Sequence, residues 1–211
     1  MKIAFFSDTH MKHSAIEIPP CDILVHCGDF TSLGKLDEAQ QFCDFLSTIK
    51  CENKIVIAGN HEFCFEKTET KKQAEEIFKS AGVHYLNDSG VEINGINFWG
   101  SPVQPAFANF AFNRKRGEEI KKHWDLIPPG TDVLITHGPP FGVLDSTRSG
   151  ESVGCKELMN KVKEINPRVH AFGHIHEGYG EFSDGQTHFI NASSVDFLYL
   201  PENNPVVVEL K

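Results

Sequence analysis

KIAFFSDTH, residues 2–10, begins with an apolar run and then changes character within one residue. IAFF is short and made of branched and aromatic side chains, which marks a buried strand rather than a helix. SDTH, which follows, is a polar turn carrying a carboxylate and an imidazole. The same succession recurs along the chain. ILVH (23–26) runs into CGDF, KIVIA (54–58) into GNHEF, DVLI (132–135) into THGPP, and HAF (170–172) into GHIHEG. Five strands therefore end in short turns loaded with Asp, Asn or His. Ligand sites of open α/β sheets lie beyond the carboxyl ends of the strands, and chemistry favours loops held on a rigid scaffold.

INFWG (96–100), THFIN (187–191) and PVVVEL (205–210) extend the set of strands. Helical spacing appears between some of them. Over 35–50, Leu36, Ala39, Phe42, Cys43, Leu46 and Ile49 share one face. Over 70–81, Ala74, Ile77, Phe78 and Ala81 form a stripe that stops at Gly82, and over 155–165 Leu158, Val162 and Ile165 line up before Pro167. VEINGINFWG predicts a hairpin turning at Asn94-Gly95. The stretch Ser101–Phe112 is read as an irregular loop over one edge. Strand and helix alternating, then a strand-rich second half, predict a layered α/β architecture, with residues 1–211 as one domain.

The chain has 211 residues, 20 basic and 29 acidic, for a net charge of −9. That balance opposes a broad face for long DNA or RNA. It leaves room for a small phosphorylated substrate, because bound divalent cations invert the local sign. An apolar strand begins almost at Met1, so no secretory leader is expected. No stretch approaches the roughly 20 apolar residues of a membrane span. Six cysteines without a CxxC pair are expected to be reduced thiols, and the expected location is cytoplasmic.

Each polar turn has a bland reading. Asp and Asn are ordinary turn residues, and a lone histidine is more often a satisfied core side chain than a ligand. All five together, each at the end of its own strand, resist that explanation. The side chains collected are Asp8, His10, Asp29, Asn60, His137, His174 and His176. Four imidazoles, two carboxylates and one amide exceed the needs of one four-coordinate zinc. They suit two divalent ions about 3.5–4 Å apart with one shared carboxylate. Mixed N and O donors without thiolate fit Mn2+, Fe2+, Co2+ or Zn2+, and Mn2+ is the expected pair. His174 and His176, at i and i+2, are read as projecting together from an extended segment, with Gly173 letting the backbone pass close.

In order, SDTH, CGDF, GNHE, THGPP and GHIH resemble the D-x-H, G-D, G-N-H-D/E, lone-His and G-H-x-H motifs of the calcineurin-like metallophosphoesterase superfamily. A narrower likeness runs through SPVQPAFANFAFN (101–113), THGPPFGVLD (136–145), VGCKELMNKV (153–162), FGHIHEGYG (172–180) and THFINAS (187–193). These stretches are similar to the metallophosphoesterase-domain-containing proteins classed with class III cyclic-nucleotide phosphodiesterases. GDFTSLG (28–34) lacks the Asp-Arg-Gly of Ser/Thr protein phosphatases. The resemblance implies two facing mixed β-sheets flanked by helices, with the metal site at the carboxyl ends of strands. It implies Asp8, His10 and His176 on one ion, Asn60, His137 and His174 on the other, and Asp29 between them. His61 matches the family's catalytic histidine and is not implied as a ligand.

The expected reaction is hydrolysis of a small phosphodiester, cyclic nucleotides included, by in-line attack of a hydroxide bridging the two ions. His61 is expected to protonate the leaving alkoxide. Two other readings share the same residues: a phosphomonoesterase or protein phosphatase, and a non-catalytic binding scaffold. Asn113, Arg114 and Arg116 are candidates for contacting substrate, since Arg matches phosphate in a bidentate way. Phe110 and Phe112 have two readings, stacking on a base or filling the core, and core is favoured. Glu62 is read as accepting a hydrogen bond from a ligand histidine. Because histidine ligands must be neutral, activity is expected to fall below about pH 6.

Overall fold

Alternation within the apolar runs sets the layers. Successive side chains of a strand face opposite ways, and in KIAFF both sets are apolar, so the strand must be covered on both faces. In the computed structural model, which describes residues 1–210, Ile3 and Phe5 enter a core shared with the second sheet, while Ala4 and Phe6 pack on the helical side. The same division splits Ile55 and Ile57 from Val56, and Val133 and Ile135 from Leu134.

In chain order the elements of the first half are β1 (Lys2–Phe6), β2 (Ile23–His26), α1 (Leu36–Thr48), β3 (Asn53–Ile57), α2 (Phe63–Glu66), α3 (Lys71–Ser80) and β4 (His84–Leu86). The hairpin β5 (Ser89–Ile93) and β6 (Ile96–Ser101) follows, then the two-residue strands β7 (Gln104–Pro105) and β8 (Asn113–Arg114). Next come α4 (Glu118–Trp124), β9 (Val133–Thr136), α5 (Lys156–Ile165) and β10 (Val169–Phe172). The last strands are β11 (Gly180–Ser183), β12 (His188–Asn191) and β13 (Val206–Glu209).

One sheet has the order β13-β1-β2-β3-β4, the other β11-β12-β10-β9-β6-β5. Within each, the central strands run parallel, and antiparallel strands close the edges at β13, β11 and β5. Helices α1 and α3 cover the outer face of the first sheet through Phe42, Leu46 and Phe78, and α4 and α5 cover the second through Trp124, Leu158 and Val162. The architecture is two mixed sheets face to face, flanked by helices. A parallel bridge between Ser7 and Ser193 ties the two sheets together where β1 ends.

The expected hairpin is present: Ile93 pairs with Ile96, and Asn94 and Gly95 turn with φ of 52° and 78°. The stretch 101–112 is irregular except for Ser101, which ends β6, and where β7 pairs with β8. The short edge strands β4 and β11 carry no continuous apolar run, which is why the pattern did not foresee them. No helix among the described residues is long and apolar enough to cross a membrane.

Candidate metal centre

The turns after β1, β2, β3, β9 and β10 meet at one end of the paired sheets. Their backbones are unusual. Asp8, His10, Asp29 and His174 have φ of 52°, 41°, 59° and 69°, a left-handed region that non-glycine residues seldom occupy and that costs about 1–3 kcal/mol each. The surroundings enforce it. Asp8 N–H donates to Gly28 O at 2.9 Å and His10 N–H to Asp29 O at 3.0 Å. His174 N–H donates to both carboxylate oxygens of Asp8, at 3.1 and 3.0 Å. His174 and His176 therefore reach the site through a tight turn, not through the extended segment the i, i+2 spacing suggested: His176 already opens a short 3-10 turn.

The donor atoms fall into overlapping groups. Those of Asp8, His10 and His176 lie within 4.8 Å of one another, as do those of Asp29, His137 and His174, and those of His10, Asp29 and His61. Asn60 Oδ1 lies 2.9 Å from His137 Nε2. Asp29 Oδ2 sits centrally, 3.4 Å from His137 Nε2, 3.9 Å from His10 Nε2 and 4.0 Å from His61 Nε2.

Backbone carbonyls orient the imidazoles. Nδ1–H of His137 donates to Cys27 O at 2.9 Å, that of His176 to Asp196 O at 3.1 Å, and that of His61 to Ser32 O at 2.8 Å. Each Nε2 is thereby turned inward, as in metal-ligating histidines. The consequence is electrostatic. His137 Nε2 faces two oxygens, and His10 Nε2 faces His176 Nε2 at 3.4 Å. Acceptors opposed in this way repel unless a proton or a cation stands between them. His10 Nδ1, buried without a partner, leaves that ring with no competing demand on its orientation.

The ionisation states agree. Burial would raise the Asp8 carboxyl, but the His176 hydrogen bond and the neighbouring imidazoles hold it well below its usual range. Asp29 is held low in the same way, chiefly by His137 against its own burial. Burial drives His10 to about 4 and His174 to about 3, so both rings are neutral. His137 is opposed by burial but raised to about 9 by Asp29. That proton answers the same demand a cation would. His176 is likewise opposed by burial and raised by Asp8. Two imidazoles are thus neutral and two hold a proton against a carboxylate, a proton that a divalent ion would displace. Ionised carboxylates, imidazoles and an amide oxygen suit such ions, and this donor set fits a pair of them with Asp29 reaching both groups.

Supporting residues lie around the cluster. Ser193 Oγ donates to Asp8 Oδ2 at 3.0 Å. Glu62 does not receive a histidine N–H. It is buried and accepts from the backbone of Asp29 and Thr31, each at 2.8 Å, and of Gly59 at 2.5 Å, bracing two of the turns. Burial pushes its carboxyl up to about 7. It accepts from the Thr31 hydroxyl as well, at 2.8 Å. Nothing in the spacing foretold this, because most of the bonds go to main chain.

Above the cluster is a cleft of about 280 Å3, lined by His10, Asp29, Asn60, His61, His174 and His176 on its floor. Its walls are Phe107, Phe110, Glu177, Phe197 and Tyr199. Asn113, Arg114 and Arg116 are not among them. The Asn113 amide is consumed by Phe107 and Ala108 backbone, Arg114 by Glu66 and His123, and Arg116 by the carbonyls of Val153 and Gly154. Phe112 is core as expected, whereas Phe110 is not: its ring lies against His61, centroids 5.2 Å apart.

Residues 1–178 match the family described as calcineurin-like phosphoesterase. The chain belongs to that family. Metallophosphoesterase domain-containing protein 1 of human and of mouse are each 42% identical over 225 residues, spanning 97% of this chain and 69% of theirs. A UPF0046 protein of Caenorhabditis elegans is 39% identical over 220 residues, spanning 92% and 56%. Among solved structures, one crystal structure aligns with 100% of this chain and 99% of its own at a TM-score of 0.67 and 15% identity. TT1561 of Thermus thermophilus aligns with 90% and 88% at 0.59 and 12% identity. These structures share the metallophosphoesterase fold. Residues able to bind metal thus stand where this metallophosphoesterase fold gathers its strand ends.

Proposed function

We propose that this protein is a divalent-metal-dependent phosphodiesterase acting on small diesters, cyclic nucleotides among them. The observation that carries the reading is the cleft itself. Seven donors converge beneath it, yet among the described residues no Lys or Arg lines it; Lys12 and Arg148 stand behind its Tyr199 and Phe197 walls, and the one carboxylate on the walls is Glu177. A phosphomonoester is a dianion, and its recognition ordinarily draws on guanidinium forks. A diester carries one negative charge and asks less.

Asp8, His10 and His176 would hold one ion, Asn60, His137 and His174 the other, with Asp29 shared. When bound, the ions would activate water and neutralise charge on the phosphoryl oxygens. The chain supplies orientation and a proton. The carbonyls behind His137 and His176 fix their tautomers. His61 is fixed likewise, with Nε2 in the cleft beside Asp29. From that position His61 would donate a proton to a leaving alkoxide, a group that leaves a diester poorly without an acid.

The test is hydrolysis of bis-p-nitrophenyl phosphate beside p-nitrophenyl phosphate with Mn2+, using His137→Ala as control. Faster turnover of the diester, lost in the variant, supports the reading. Preference for the monoester replaces it with a phosphatase, and a metal-loaded protein that turns over neither is a binding scaffold.

A further inference from the structure

Large apolar side chains are usually buried, but Phe107 is 47% exposed. Its ring stacks on Phe110 with centroids 5.0 Å apart and planes 24° from parallel. The pair rises directly from the metal-binding floor: Phe110 lies 5.2 Å from the His61 ring and Phe107 5.4 Å from the His174 ring. On the other side stand Tyr199, 4.9 Å from the His10 ring, and Phe197, both 43% exposed.

The loop that carries the two rings is braced. Asn113 accepts from Phe107 N–H and donates to the carbonyls of Phe107 and Ala108. Gln104 donates to Ala111 O at 2.8 Å, and Ala111 N–H donates to Asn60 O at 3.0 Å, tying the loop to a candidate ligand. The exposed rings are thus held in place at some cost in hydration. A wall built so is organised in advance for a planar partner.

Resting on the phosphodiesterase reading above, we infer that Phe107 and Phe110 form a stacking platform for a nucleobase attached to the phosphate. A phosphate over the floor would set its substituent against this wall. The cleft, about 280 Å3, is just below the usual range of small-ligand sites and suits a small, partly exposed ligand. The rings offer a face and no hydrogen-bonding groups. Recognition is therefore by stacking, which every base supports and which is worth about 5- to 150-fold per base. The platform itself reads no edge of the base, so it holds purines and pyrimidines alike, and aliphatic esters are disfavoured.

The probes are AMP and ribose 5-phosphate, which share sugar and phosphate and differ by the base. Their inhibition constants against diester hydrolysis, and their dissociation constants by calorimetry on the Mn2+-loaded protein, are compared in wild type and Phe107→Ala/Phe110→Ala. The expected result is AMP binding about tenfold tighter than ribose 5-phosphate, with the ratio falling to near one in the double variant. Parity in wild type, or a preference that survives the double variant, overturns the platform. Phe107→Ala alone, at an exposed ring, gives the same comparison should the double variant not fold. Calorimetry separates the two readings: base preference without hydrolysis sinks the phosphodiesterase and spares the platform, while hydrolysis without base preference does the reverse.

Discussion

At the scale of single residues, the site is built by close approach. A Cβ on Gly173 would stand 2.0 Å from Asp8 Oδ2 and 2.2 Å from Ser7 Oγ, with no slack on either side. Gly173→Ala should displace the Asp8 carboxylate while leaving the sheets intact. We expect bound Mn2+ after dialysis to fall, with affinity reduced about 10- to 100-fold or more, and circular dichroism to stay native. Full metal retention would show that Asp8 can relocate at no cost. His61 makes a different prediction. If it protonates the leaving group, His61→Ala should lower kcat about 10²–10⁴-fold on an alkyl diester. The loss should be smaller on bis-p-nitrophenyl phosphate, whose leaving group needs no proton. Equal losses on both substrates would assign His61 to binding.

Elements show where local rules suffice. Asn94 and Gly95 both have positive φ, as a two-residue hairpin turn demands. A Cβ on Gly95 would meet nothing within 4 Å, so Gly95→Ala tests conformation alone. It should destabilise the protein by about 1 kcal/mol, read from denaturant midpoints, with activity unchanged. A negligible effect would mean the turn relaxes to another type. The hairpin was legible because its chemistry lies in two adjacent residues. Strands β1, β2, β3, β9 and β10 were legible for a similar reason, since each carries a short run dominated by apolar residues and is bounded by a polar turn. Strand β11 was not, because its residues are mostly exposed and its place depends on pairing with β12.

For the whole molecule, two buried histidines link stability to pH. His26 on β2 and His170 on β10 are fully buried, and burial drives each to about 3. In the unfolded chain they titrate near 6.5. Both are neutral in the native state, so the unfolded state binds more protons below pH 6.5. Their contribution is intact above that value and erodes as pH falls toward 3, by about tenfold in the unfolding equilibrium per pH unit for each ring. His170→Leu isolates one of them. Thr136 Oγ, 2.9 Å from His170 Nε2, also donates to Gly138 O at 2.8 Å and stays satisfied. The variant's stability should fall less steeply between pH 6 and 4, by about one proton, and an unchanged slope would refute the assignment.

What the sequence determined unaided was the part set by nearest neighbours. Apolar alternation places strands, turn residues end them, and the ordered turns nominate Asp8, His10, Asp29, Asn60, His137, His174 and His176 together. What only the tertiary structure decided is where side chains find partners far along the chain. Glu62 serves the backbone of Asp29 and Thr31, Arg114 is spent on Glu66, and Phe110 stands in the cleft while Phe112, two residues on, is core. Local pattern is blind to such choices. A charged or aromatic side chain has many partners of similar energy, and packing selects among them only after the sheets have met.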